Sequence, residues 1–358
     1  MSRPREPEGE SSGRGPSRRG LLGSGLAGLG ATLGAGALGR VEAADPKPDT
    51  SPGGRVLKAT MPGLSVGAAR YGEGPTGVTV LRFAKRVRAC MDQRGGNPVT
   101  LFTDGMERGV RPLDALVFTG GSALGLEAVT GVTRALFEQS GSKLGWSELP
   151  LVAGAVIYDF GLRETRLTPD ARLGRAALKA AKATGAGRVP LGDRGAGAGA
   201  TVGKWLTRTT RPETAGQGAA FRSLGETRIL VLTVVNALGA IVDREGRVRR
   251  GHRDPKTGAR VPMPKTLGAE VAKPSGGNTT LTAVVVNERL SAGELALLAR
   301  QVHTAMARVI RPFHTAGDGD VLFAITTDAV RSKRNVDQLA FEASEAALDA
   351  VLSAVPPE

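Results

Sequence analysis

The sequence predicts an α/β or α+β fold built as a layered sheet. Three observations point to it. Short apolar, β-branched runs alternate with helix-like stretches along most of the chain. Glycine is abundant, with 51 residues in a chain of 358, which suits many tight strand-to-helix turns better than a helix bundle. Hydrophobic residues make up 41% and aromatics only 4%, so a sizeable core has to be assembled from Leu, Val, Ile and Ala.

The first segment reads as an export leader. Arg18 and Arg19 precede a weakly apolar, Gly-rich run from Gly20 to Leu38, and the small pair Ala43-Ala44 follows Arg40 and Glu42. Paired arginines, a mild apolar run and small residues at its end resemble a twin-arginine signal over residues 1–43, directing the protein to the periplasm or medium. Glycine interrupts the run throughout, so no stable membrane span is expected. The Pro/Asp/Gly stretch 44–54 reads as a linker, and a single globular domain is expected over 55–358.

Within that domain, Asp114 to Phe118 followed by Thr119-Gly120-Gly121-Ser122 reads as a strand and a tight turn, and Ala123 to Glu138 as a helix. Leu151 to Phe160 is a second apolar strand. Ala171 to Thr184 is a helix, preceded by Pro169-Asp170 and closed by Gly185. Gly195 to Gly203 is a glycine-rich loop, and Ile229 to Val235 is a buried strand ending at Asn236. Residues 244–278 read as a long exposed loop rich in Gly and Pro, with seven basic residues crowded into 244–260. Thr279 to Val286 then begins abruptly as a core strand. Ser291 to Glu294 is a capping box for a helix with apolar positions at Leu295, Leu298, Val302, Met306 and Val309, ended by Pro312. Val321 to Thr326 is a strand and Gln338 to Val351 a final amphipathic helix.

Several chemistries are disfavoured. Cys90 is the sole cysteine, so no internal disulfide can form. His252, His303 and His314 have no metal-ligand spacing, and no metal or organic cofactor is expected. The Gly195–Trp205 stretch fails as a phosphate loop, because Ala198 and Trp205 stand where a Gly and a hydroxyl are needed. No Gly-x-Ser-x-Gly elbow is present. The formal charge of +14 and the run Arg244–Arg260 raise the alternative of a non-catalytic polyanion-binding protein. That run carries no interleaved aromatics, so it reads as a solvated face and no nucleic-acid partner is expected.

The residues that carry chemistry are Gly277-Asn278-Thr279-Thr280. A Thr hydroxyl needs a base, and a Thr at a chain terminus supplies one through its own α-amine, whose ordinary pKa is about 7.7–8.0. The terminus is made if the Thr279 hydroxyl attacks the Asn278 carbonyl, shifts the acyl group from N to O and releases it to water. On composition alone, Asn-Thr here is weak evidence for this chemistry and reads first as a turn residue followed by a β-branched strand start.

The chain from about Thr76 to Asp328 resembles the L-aminopeptidase/D-esterase, β-peptidyl aminopeptidase and nylon-oligomer hydrolase family. The matching blocks, in order, are Arg94-Gly95-Gly96, Thr119 to Leu126, Ala155 to Asp159, Gly197 to Lys204, Val234 to Ala237, Asn278 to Leu281, and His314-Thr315 through Asp318-Gly319-Asp320. The resemblance implies a four-layer αββα sandwich of the N-terminal-nucleophile-hydrolase-like type, often assembled as a homotetramer. It implies self-cleavage at Asn278–Thr279 into residues 44–278 and 279–358, and hydrolysis of small peptides or amides. An acyltransferase of the same fold is the alternative.

By resemblance, Thr279 is the nucleophile, with Thr280 as fallback, and Asp318 and Asp320 are the polar residues that hold it. Their i, i+2 spacing puts both on one face of an extended segment. The Asn236 amide is the expected oxyanion donor, Lys204 stabilises charge or fixes Thr279, and Tyr158 lines the substrate pocket. The pair Asp318 and Asp320, in place of Ser and Glu, is nearer the nylon-oligomer-hydrolase pattern.

Overall fold

The computed structural model describes residues 45–161, 163–184, 187–206, 210–262, 277–331 and 334–357. The expected export leader and the proline-containing stretch 263–276 lie outside the described residues.

Eight strands form the frame: β1 (Leu64–Tyr71), β2 (Thr76–Gln93), β3 (Arg111–Thr119), β4 (Val152–Val156), β5 (Gly216–Leu224), β6 (Thr227–Asn236), β7 (Thr279–Glu288) and β8 (Val321–Val330). Four helices accompany them: α1 (Leu126–Gln139), α2 (Ala171–Thr184), α3 (Ala292–Ala305) and α4 (Val336–Ser353). The hydrogen-bonded path runs β5-β6-β7-β8-β2-β3-β4, with the two-residue strand Thr100–Leu101 beyond β4 and β1 paired to β2.

The long strand β2 makes two layers out of this path. Its residues 76–83 pair with β1, whereas residues 88–93 pair with β8. A register shift between Arg82 and Val87 marks the bend between the halves. Side-chain alternation then sorts the core into three slabs. Val231 and Val235 of β6, Val284 and Val286 of β7, and Leu322 and Ala324 of β8 pack toward α3 and α4. Leu230, Leu232, Val234, Leu281, Val285 and Phe323 face inward, against Leu81, Phe83, Leu116 and Phe118 of the other layer. Val78, Val80, Ala115 and Val117 pack outward against α1 and α2. Three apolar slabs between helices, sheet, sheet and helices make the expected αββα sandwich.

Most elements lie where their periodicity predicts. Helix α2 has the expected limits, and Asp170 caps it by accepting from the Leu173 N–H at 2.8 Å. Helix α3 carries the full capping box of Ser291 and Glu294. It stops at Ala305, ahead of Pro312, because a 3₁₀ turn (Met306–Arg308) and a short strand (Ile310–Arg311) intervene.

Two segments differ from expectation. Residues 45–54, read as a linker, lie against the domain: Asp49 exchanges backbone hydrogen bonds with Arg70 and pairs with its guanidinium. The basic segment, read as a solvated loop, is structured as far as it is described. Arg253 and Arg260 both bond to the buried Glu213, whose carboxylate also takes the Gly251 N–H. His252 is fully buried and accepts from the Trp205 N–H at 3.1 Å; burial pushes its pKa down to about 4. A single carboxylate distant in sequence has organised this run, which local composition does not reveal.

Candidate active site

The sheet brings three chain segments to one end. Asn236, the last residue of β6, is the register partner of Thr279, the first of β7. Strand β8 runs parallel to β7, with Leu281 opposite Val321, so the approach to β8 lies beside the start of β7. Asn278 bridges to Asp318 across that gap. Thr279, Asp318, Asp320 and Asn236 are thus neighbours because their strands are, although up to 84 positions separate them in the sequence.

The chain is continuous through Asn278–Thr279, so this is the geometry of the uncut protein. Thr279 is 6% exposed, and its Oγ1 donates to the Asn278 carbonyl oxygen at 2.5 Å. The same oxygen accepts the Gly319 N–H at 2.7 Å. A side chain at position 319 would not fit, because its Cβ would lie 2.9 Å from Thr279 Oγ1 and from the Asn97 carbonyl oxygen. Gly277 has φ of +102°, and a Cβ there would strike the Tyr158 ring at 2.7 Å. The neighbouring Thr280 Oγ1 is buried with no hydrogen-bond partner among the described residues and is not joined to this network.

Both aspartates point inward. Asp320, fully buried, accepts the Thr280 N–H at 2.6 Å on Oδ1. Its Oδ2 accepts the His314 backbone N–H and faces His314 Nδ1, each at 3.1 Å. Asp318 accepts the Leu238 N–H at 3.2 Å and both the N–H and hydroxyl of Thr315, at 3.0 and 2.5 Å. Burial raises the Asp318 pKa, and the nearby Asp320 charge adds to the effect.

Asn236 has no spare amide in the uncut chain. Its Nδ2 donates to the carbonyls of Tyr158 at 2.9 Å and Gly277 at 3.1 Å. Its Oδ1 accepts from the Thr201 N–H and from Lys204 Nζ, each at 3.0 Å. Lys204 also donates to the Asn236 backbone carbonyl at 3.0 Å, so the lysine contacts Asn236 rather than Thr279. Burial pushes the Lys204 pKa down to about 7, and the Asp318 carboxylate opposes that shift. Tyr158 is 42% exposed and packs on Phe160 at 5.3 Å. Behind it, Asp159 and Arg163 form an ion pair at 2.9 Å whose side chains are almost wholly buried.

All the residues singled out in the sequence therefore converge on one place. The Gly319 N–H, the Leu238 N–H and the His314 ring were not foreseen as contacts. Backbone donors leave no mark on residue type, and only the His314–Asp320 pairing had a sequence signal, the shared block 314–320.

Comparison with known proteins identifies the family and the fold. A profile of peptidase family S58 matches residues 59–356. A 6-aminohexanoate-oligomer endohydrolase of Paenarthrobacter ureafaciens is 44% identical over 331 residues, covering 87% of this chain and 90% of that protein. An uncharacterised aminopeptidase of Mycobacterium leprae is 35% identical over 274 residues, covering 73% of each. Among solved structures, a β-aminopeptidase of Burkholderia sp. shares the fold with a TM-score of 0.59 and 18% identity, covering 84% of this chain and 83% of that one. The L-aminopeptidase D-Ala-esterase/amidase of Ochrobactrum anthropi, described as a variant of the Ntn hydrolase fold, does so with a TM-score of 0.57 and 17% identity, covering 84% and 82%. The chain belongs to peptidase family S58 and is a peptidase or amidase on an N-terminal-nucleophile-hydrolase framework.

Proposed function

We propose that the chain cuts itself between Asn278 and Thr279 and that the freed Thr279 then hydrolyses small amides. The observation that carries this reading is the buried contact of Thr279 Oγ1 with a carbonyl already held by the Gly319 N–H. In self-cleavage, Oγ1 adds to the Asn278 carbonyl carbon and the C–N bond breaks. The Thr279 nitrogen takes the proton, and water hydrolyses the resulting ester. The products are the Asn278 carboxylate and a Thr279 with free amine and hydroxyl. The Gly319 N–H is placed to stabilise the oxyanion of this first step.

In turnover, the α-amine accepts the hydroxyl proton, Oγ1 attacks the substrate carbonyl, and the departing amine is protonated. The acyl-enzyme ester is then released to water. Departure of Gly277 would free one N–H of Asn236 Nδ2 for the substrate oxyanion. Asp320 holds the Thr280 amide, Asp318 braces the adjoining turn, and Lys204 fixes the Asn236 amide. Tyr158 offers a half-exposed face to the substrate chain. Because relatives at 44% identity are named for 6-aminohexanoate oligomers, amides between ω-amino acids are the first substrates to test.

We further propose export by the leader 1–43 and assembly as a homotetramer. The sequence of the leader supports the first. The exposed Phe102 and Trp146, which line one open cleft, support a covered face.

Mass spectrometry of protein purified from an exporting host tests the whole reading. Under denaturing conditions the expected result is a fragment beginning at Thr279 and a larger one lacking residues 1–43; under native conditions, four copies of the pair. Thr279→Ala should stay a single inactive chain. Asn236→Ala should still be cut, because the scissile carbonyl is held by Gly319, yet hydrolyse amides about 10²–10³ more slowly. An uncut, inactive wild type, or a Thr279→Ala chain that still processes, would overturn the assignment.

A further inference from the structure

We propose that His314 is a positioning residue for the nucleophile, acting through Asp320, and that it does so as a charged imidazolium. The inference rests on Thr279 being the nucleophile. The line of contacts is short: the His314 ring meets Asp320 Oδ2, Asp320 Oδ1 meets the Thr280 N–H, and Thr280 is bonded to Thr279.

The hydrogen-bonding partners decide the protonation form. His314 Nδ1 faces a carboxylate oxygen at 3.1 Å, and Nε2 faces the His303 carbonyl oxygen at 3.4 Å. Both partners accept only. A neutral ring carries one N–H and would set its other nitrogen's lone pair against an oxygen lone pair; only the doubly protonated ring satisfies both. The charge also has a task. Asp320 is fully buried, and a buried carboxylate is costly unless a cation or hydrogen-bond donors stand against it. Lys204 lies near Asp318, and His314 is the cation in contact with Asp320.

The ring is held in place on both sides. His314 adopts a left-handed backbone, φ +59°, which turns its ring and its own N–H toward the same oxygen of Asp320. It stacks on Phe313 with centroids 3.7 Å apart and meets the edge of His303 at 4.4 Å. His303 is buried and its pKa is pushed down to about 4, so of the two touching imidazoles it is the neutral one. Its Nδ1 bonds Asp92 Oδ2 at 2.9 Å, and Arg94 holds the same oxygen at 2.7 Å. The charged and titratable groups around His314 are thus Asp320 and Asp318 from the approach to β8, His303 from α3, and Asp92 and Arg94 from the end of β2 and just beyond it.

The test uses full-length His314→Ala and His314→Asn, with kcat and KM for amide hydrolysis measured across pH. Asn tolerates the left-handed backbone and places an amide N–H near the position of Nδ1, without a titrating charge. For His314→Ala, kcat should fall about tenfold to a hundredfold with KM little changed, since the ring's contacts are Asp320, Phe313 and His303. His314→Asn should recover part of that rate, again with KM little changed, because it restores a hydrogen bond to Asp320 but not the charge. A His314→Ala enzyme with wild-type kcat and pH profile overturns the proposal. If His314→Ala fails to fold, a His314→Asn enzyme with fully wild-type kcat shows that the charge of the ring contributes nothing and overturns the proposal instead. A wild type that is uncut, or an active Thr279→Ala chain, fails the nucleophile assignment and is distinguished from both.

Discussion

At the scale of single residues, the site works by placing charge where water is scarce, and Lys204 gives that a measurable sign. Burial holds its pKa at about 7 against 10.5 for the free side chain. The unfolded chain therefore binds one more proton than the folded one between pH 7 and 10.5, and this residue makes stability rise with pH across that window. The penalty is fully present below pH 7 and gone above 10.5. Thermal melts of the wild type and Lys204→Met should diverge accordingly. The wild type should gain on the variant from pH 7 toward pH 10, and a constant difference would mean that Lys204 stays charged in the fold. Thr279, Asp318, Asp320 and Asn236 were legible as residues because each stands in a block shared with a family. Their bonds were not legible. Lys204 turned out to serve Asn236, and the carbonyl that matters is held by a backbone N–H, a donor that every residue but proline carries.

At the scale of elements, the strands and helices that bracket the site carry strong local signals. Helix α3 returns the chain from β7 to the parallel β8, so its start fixes where the segment 314–320 can lie. Ser291 Oγ accepts the Glu294 N–H at 3.3 Å and Glu294 accepts the Ser291 N–H at 2.7 Å. Ser291→Ala should cost about 1 kcal/mol, or about 1–3 °C in Tm for a domain of this size. The Ser291 hydrogen bonds hold the Glu294 pKa below 4.5, so their contribution is present above that pH and lost as pH falls through the lowered value. The difference between wild type and Ser291→Ala should accordingly shrink in acid, and melts at pH 7 and pH 3.5 check it. The basic segment 244–261 shows the opposite case. Its composition reads as a solvated loop, yet Glu213 gathers three of its arginines and a backbone N–H from some forty positions away.

At the scale of the molecule, the two sheets are held face to face by an apolar slab in which Phe118 of β3 meets Phe323 of β8, ring centroids 6.1 Å apart and tilted by 44°. Both are fully buried. Phe323→Ala should cost about 3–5 kcal/mol through the cavity it leaves. It should also slow amide hydrolysis, because β8 begins directly after Asp320. A double-mutant cycle with Phe118→Ala should return a coupling of about 0.5–1.5 kcal/mol. Additive effects would mean that the rings do not support each other across the sheets. The same arrangement keeps the products of the proposed self-cleavage together: β7 and β8 sit between β6 and β2, so the second fragment is embedded in the sheet of the first.

Periodicity and caps sufficed for the layered α/β class, the limits of α2, the start of α3 and the abrupt strand at Thr279, because those signals act within a few residues of chain. The ordered blocks sufficed for the family. Tertiary structure alone decided that β2 bends from one sheet into the other, that residues 45–54 lie on the domain, and that the Gly319 N–H reaches the Asn278 carbonyl. Each of these depends on pairings between segments distant in sequence, whose energy comes from burial and from backbone hydrogen bonds that carry no residue-type signature.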